Sequence, residues 1–264
     1  MGESAGDSPP APSRQAAAIL WLALAVALSP VLWDLLHHWI EYPWSRYSLL
    51  FPALLWWLAR RQEPAAAATG SGLALVLIGT AVCMLALAGG VVRAARPGLV
   101  LAVIGLCRYT GTTSLRTALL AAWLVPVPHL LAQAVNDATG GGLVAVAAAL
   151  ATGIGVEVTW DPDIAAWGAE ELALLAAYGG LPLAALFTGL TWFGAARRRL
   201  PGRETLLRLL GAALLALPVQ LAALLAAFGL LAAGWPAGGR FLLLHALWPV
   251  CAVGALWIGH RSAR

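Results

Sequence analysis

Among five histidines in this chain, His245 in "GGRFLLLHALWPV" stands apart because it lies near the start of the last long apolar run. An ionisable side chain inside such a run marks a candidate functional site. An imidazole is also the side chain best suited to take up and return a proton near neutral pH. A second candidate is "LLAAYGGLPLA", Leu174 to Ala184, where Tyr178, Gly179 and Gly180 interrupt alanine and leucine. A tyrosine hydroxyl, with an ordinary pKa of about 10, is a poor nucleophile unless strongly activated. No Cys, Ser or Thr occurs in 174–184 to do that work instead. Glu170 and Glu171, just upstream, could activate a water, or could simply place carboxylates at the positive end of a helix.

The remaining histidines and the cysteines point elsewhere. His37 and His38 are adjacent, so on a helix they diverge by about 100° and cannot chelate one metal. With Trp39, Tyr42 and Trp44 they form an aromatic stretch suited to a membrane border. His129 follows the proline pair Pro126 and Pro128, and His260 sits beside Arg261. Cys83, Cys107 and Cys251 lie far apart in apolar segments without CxxC spacing, as buried small hydrophobes do. Neither a metal nor a cofactor is expected.

These residues must be positioned by membrane helices. Hydrophobic residues make up 61% of the chain and charged residues 11%, and the mean hydropathy is +0.82. Apolar stretches recur from Ala16 onward, against a requirement of about 20 helical residues to cross a bilayer core. The expected fold is all-α, a polytopic transmembrane bundle of about eight helices. The segments are 16–34, 47–60, 71–91, 97–108, 117–134, 170–196, 205–234 and 241–259. Residues 140–155 are expected as a re-entrant or interfacial helix, followed by an acidic loop carrying Trp160 and Trp167. Residues 1–15, rich in Pro, Ser and Gly, read as a disordered tail. Residues 16–264 read as one transmembrane domain that begins with an uncleaved signal-anchor.

Charge supports one orientation. All sixteen basic residues are arginine. With a cytoplasmic N-terminus, twelve lie inside: Arg14, Arg60, Arg61, Arg108, Arg116, Arg197, Arg198, Arg199, Arg203, Arg208, Arg261 and Arg264. Arg46, Arg93, Arg96 and Arg240 lie outside, the asymmetry the positive-inside rule predicts. Both termini are then cytoplasmic, and Tyr178 and His245 share the outer face.

The order of these features resembles the exosortase/archaeosortase family, membrane enzymes that process C-terminal sorting signals. "LSPVLWDLLHHWIEYPWSRYSLLFPALLWWLARRQ" is similar to that family's first two helices, with a Tyr-Ser pair and an Arg-Arg exit. "LLAAWLVPVPHLLAQAV" resembles its Pro-x-Pro helix, and "GIGVEVTW" the stretch leading into its outer loop. "ELALLAAYGGLPL" falls where the family has its Ala-Cys-Ser-Gly-Leu-Arg nucleophile motif, and His245 where it has its catalytic histidine. The departures are specific. Tyr178 stands in place of the cysteine, Gly179 of the serine and Pro182 of the arginine, while Gly180 and Leu181 match. Apolar residues in "VQLAALLAAFG" replace the family's Asn-x-x-Arg element, and Leu49–Leu50 replace a His-Gly pair.

The resemblance implies the family's fold in the prokaryotic cytoplasmic (inner) membrane, without its cysteine chemistry. The expected role is that of a catalytically degenerate binder or accessory in the sorting of C-terminally anchored surface proteins. The partner is then a sorting-signal helix, with Gly179 and Gly180 allowing close approach and Glu170 and Glu171 lining its path. An active peptidase or transpeptidase using His245 with Tyr178 or a carboxylate-activated water is the competing reading. A third reading is a likeness to CAAX-type glutamic intramembrane proteases, matched by Glu170, Glu171, Phe228 and His245. There, Leu175, Ala232 and Pro249 stand where that family has Arg, His and Asn. A transporter needs more charges at mid-depth than these spans carry.

Overall fold

The computed structural model describes residues 12–62, 67, 69–156, 159–160, 164–167, 170–173 and 180–261. The fold is helical, as the composition required. The exception is a short three-stranded antiparallel sheet of β1 Thr159–Trp160, β2 Ile164–Trp167 and β3 Glu170–Ala173, within the expected acidic loop and the expected start of the sixth span. The tail expected over 1–15 lies outside the described residues as far as Pro10 and Ala11. Helix α1, Arg14–Ala27, starts two residues earlier than expected because the Ser13 side chain accepts from the Ala16 N–H and caps it.

Two compact units divide the chain. One holds the residues up to His38 together with Leu49–Val125, and the other holds Trp39–Ser48 and Pro126 onward. The expected span 16–34 is broken: α1 and α2, Ser29–Glu41, meet at a 71° bend. Pro30 causes the break, since it has no N–H to give the carbonyl one turn back.

In the first unit, α3 spans Leu50–Arg61, α4 Thr69–Ala88, α5 Arg96–Thr110 and α6 Leu115–Ala118. Helices α4 and α5 run side by side with backbone touching backbone. Gly72 and Gly79 on α4 and Gly98 and Gly105 on α5 repeat every seven residues and face one another. A Cβ on any of the four would fall within 3 Å of backbone atoms of the opposite helix. Cys83, buried beneath Gly98, donates to the Ala95 carbonyl at 3.2 Å. Buried Arg96 clasps the Asp34 carboxylate through Nε and Nη2 at 3.0 and 2.9 Å, tying α5 to α2. At the end of α3, the Arg60 and Arg61 guanidinium groups lie over the Trp56 and Trp57 rings at 4.1 and 4.9 Å.

In the second unit, α7 runs His129–Gly153, α8 Leu181–Arg198, α9 Gly202–Ala232, α10 Pro236–Phe241 and α11 Leu247–Arg261. Its core is small: Val144, Ala147 and Ala151 of α7 pack on Ala223, Leu224, Ala227, Phe228 and Leu231 of α9, with Leu243 alongside.

By length and apolarity, two helices among the described residues suffice to cross a membrane, α4 over Gly70–Ala88 and α9. The bent pair α1–α2 makes a third if it counts as one span. The eight expected spans are therefore not present as eight long helices. Residues 117–134 are split among α6, a 3-10 turn over Leu119–Leu124, an irregular stretch and the start of α7, because Pro126 and Pro128 cannot donate within a helix. Residues 140–155 are no separate re-entrant helix; most of them belong to the continuous α7. Large apolar side chains face outward along the helices, among them Leu22, Trp33, Leu77, Leu85, Leu214, Val253 and Trp257. Such outward apolar surface suits lipid as solvent and marks the chain as membrane-associated.

Gly79→Leu must push α4 from α5, and we expect it to cost about 3 kcal/mol, at the upper end for overpacking. Gly70→Ala, where an added Cβ meets open space, is expected to leave stability within about 1 kcal/mol. Thermal unfolding of the two variants in detergent checks the contrast. The same assay is expected to show Arg96→Met destabilised by about 3 kcal/mol, because Asp34 loses its buried counter-ion.

Candidate functional site

His245 does not sit in a regular helix. It lies on a single π turn, Leu242–Ala246, inserted between α10 and α11, where the Leu247 N–H reaches back to the Leu242 carbonyl. Pro249 accounts for the irregularity, having no N–H to offer the His245 carbonyl four residues earlier. Turns of this kind insert one extra residue and recur at functional sites. The Phe241 ring covers one side of the imidazole, with centroids 5.6 Å apart and planes inclined at 41°.

The partner of His245 comes from the other end of the sequence. Pro43–Leu49 forms a 3-10 turn, in which both the N–H and the hydroxyl of Ser45 donate to the Tyr42 carbonyl at 2.9 Å. Tyr47 is buried, and its hydroxyl oxygen accepts the Val127 N–H at 3.3 Å, anchoring the turn to the segment that leads into α7. Between them, Arg46 directs Nη1 to His245 Nδ1 at 2.6 Å and donates through Nη2 to the Ile40 carbonyl at 3.1 Å.

That contact fixes the chemistry of the imidazole. A guanidinium group has only donors, so His245 Nδ1 must accept. For Nδ1 to accept, the ring proton must sit on Nε2. In this tautomer Nε2 carries a proton and no free lone pair, so it can only donate and cannot remove a proton from a nucleophile. Arg46 and His245 together offer donors, suited to holding a carbonyl or carboxylate oxygen.

The other sequence candidates are placed differently. Tyr178 and Gly179 lie outside the described residues. The expected helix 170–196 starts only at Leu181. Gly180 is its buried N-cap with φ +75°, a left-handed conformation natural to glycine. Pro182 falls in the first turn, where a missing N–H costs nothing. The Gly–Pro pair thus starts a helix and does not interrupt one. A Cβ on Gly180 would lie 3.5 Å from a Leu217 methyl of α9. Glu170 and Glu171 are not at a helix start either. They lie on β3, opposite Trp167 and Ala166 of β2, because the helix is deferred to the Gly–Pro signal downstream.

Two residues escaped the sequence reading. Arg46 is 199 residues from His245, and only their shared expected sidedness hinted at the pairing. Gln220 lies in "VQLAALLAAFG", which reads as apolar, yet it occupies the buried stripe of α9 at 1% exposure, its Nε2 without a hydrogen-bond partner among the described residues. Its place three and four residues before Ala223 and Leu224 was the available signal.

Nitrogen NMR on histidine-labelled protein is expected to show His245 protonated at Nε2 alone. Arg46→Leu removes the donor, and a mixture of the two neutral tautomers is the expected result. No family model, curated protein or solved structure matches this chain.

Proposed function

We propose that this chain is an exosortase/archaeosortase-like membrane protein of the prokaryotic cytoplasmic membrane that binds the C-terminal sorting helix of a surface protein without cutting it. The observation that carries this reading is the Arg46–His245 hydrogen bond of 2.6 Å. It turns the one histidine at the family's catalytic position into a donor, which favours recognition over proton abstraction. The departure at Tyr178, where the family has its cysteine, points the same way.

One observation favours the active alternative. The family's catalytic trio pairs its histidine with an arginine, and Arg46 supplies one here from a different element. An active enzyme of this kind would use the guanidinium group to hold developing negative charge and would draw its nucleophile from Tyr178 or from water.

The test expresses the full chain in membranes with a surface protein carrying a candidate sorting tail. A photo-crosslinking residue replaces the exposed Phe241 beside His245. We expect a crosslink to an intact tail, reduced at least about tenfold by His245→Ala or Arg46→Leu, as loss of a charge-assisted hydrogen bond would give. Tail cleavage that disappears in His245→Ala and Tyr178→Phe would establish the peptidase instead. Absence of both crosslink and cleavage would sink the sorting role.

A further inference from the structure

Buried polar side chains in a helical bundle are nearly always paired, because an amide left unpaired among apolar groups is costly. Gln220 breaks that pattern. It lies just past the middle of α9 at 1% exposure, and its Nε2 has no hydrogen-bond partner among the described residues. That nitrogen carries two N–H groups to give. Its neighbours on the buried stripe of α9, Ala216, Ala223 and Leu224, offer no side-chain acceptor.

A second set of free donors faces it. Only Arg199, Leu200 and Pro201 join α8 to α9, so the two helices run antiparallel and the start of α8 lies beside the middle of α9. The Gly180 contact fixes the level, since a Cβ there would lie 3.5 Å from a Leu217 methyl. Gln220 follows Leu217 by one turn, and a helical side chain leans back over the turn N-terminal to it. The Gln220 amide therefore reaches toward the first turn of α8. There the first intrahelical bond runs from the Ala184 N–H to the Gly180 carbonyl at 2.8 Å, so the Leu181 and Leu183 N–H groups precede it as orphan donors. Gly180 has no side chain to cap them, and the first turn holds no acidic residue.

Each of these groups donates, and the aligned peptide dipoles add a fixed partial positive charge at the helix start. The matching ligand is an anion. With Gly180, Pro182, Leu183 and Gln220 all buried, the surroundings suit a monatomic ion and exclude a carboxylate or phosphate carried on a larger molecule. We propose that the start of α8 and the Gln220 amide bind one halide-class anion, held by the Leu181 and Leu183 N–H groups and Gln220 Nε2. Leu217, 44% exposed, is where the ion enters. The bound ion ties α8 to α9 at the point where α8 begins. This site shares no residue with the Arg46–His245 pair, so its test is independent of the sorting role.

The experiment uses the full chain in detergent, exchanged into sodium gluconate and titrated with sodium chloride at constant ionic strength. Binding is read from excess broadening of the chloride NMR line and from the Leu181, Leu183 and Gln220 amide signals of nitrogen-labelled protein. We expect broadening that bromide competes away, shifts at those three amides, and a higher melting temperature in chloride than in gluconate. Gln220→Leu removes the donor and is expected to weaken chloride binding at least about tenfold. Its melting temperature in gluconate is expected to hold or rise, because the orphan amide is gone. Gln220→Glu puts a carboxylate at the helix start in place of the ion, and the melting temperature should then no longer depend on chloride. Broadening undiminished in Gln220→Leu, or chloride shifts that leave the Leu181 and Leu183 amides unmoved, overturns the proposal. Should a variant fail to fold, the amide shifts of the unmodified chain decide alone.

Discussion

Helices built from alanine and leucine gain little by burying one another when the solvent is itself hydrocarbon. What holds them is how closely their backbones can approach. The α4–α5 contact is the clearest case in this chain. Four glycines at seven-residue intervals remove the side chains that would separate the two helices. Every dispersion contact between those backbones then depends on the absence of a Cβ. The consequence reaches outward: with the inner face given to glycine, the large side chains Leu73, Leu77, Ile78 and Leu85 are left to face away. In the second unit the same logic gives Ala147, Ala151, Ala223 and Ala227 the contact between α7 and α9.

Polar contacts are few in such a chain and correspondingly specific. Asp34 and Arg96 sit 62 residues apart and pair at a part-buried site, and Arg46 meets His245 over a longer separation still. In a low-dielectric surrounding an unpaired member of either pair is costly. Each pair therefore rejects arrangements that shift its elements by a turn. They select one packing among many that alanine and leucine would tolerate, a role that adding further apolar contact could not fill.

Much of this was legible in the residues. The helical class followed from composition, and Pro126 and Pro128 marked the interruption before α7. The division of the apolar runs did not follow, because hydropathy averages over a window while helix breaks are set by single residues. Pro30 bends a run that reads as one span, and Gly180 with Pro182 delays α8 until Leu181. The sheet strand holding Glu170 and Glu171 arises from pairing with Ile164–Trp167, a local partner that an apolar-run reading does not consider. At the candidate site, His245 was visible as an ionisable group in an apolar segment. Arg46 was not visible as its partner, since nothing in a single sequence couples positions so far apart. The glycine ladder was present in plain view, but its meaning lay in two helices running antiparallel in register.

The π turn at His245 has a mechanical side. One residue beyond a regular turn rotates everything that follows by about 100° around the helix axis. The face of α11 that carries Val250, Val253 and Trp257 outward is therefore indexed by a single inserted position, as a gear is by one tooth. Imidazole and lipid-facing surface are set by the same tooth. To move one without the other, the chain would have to unwind the helix between them.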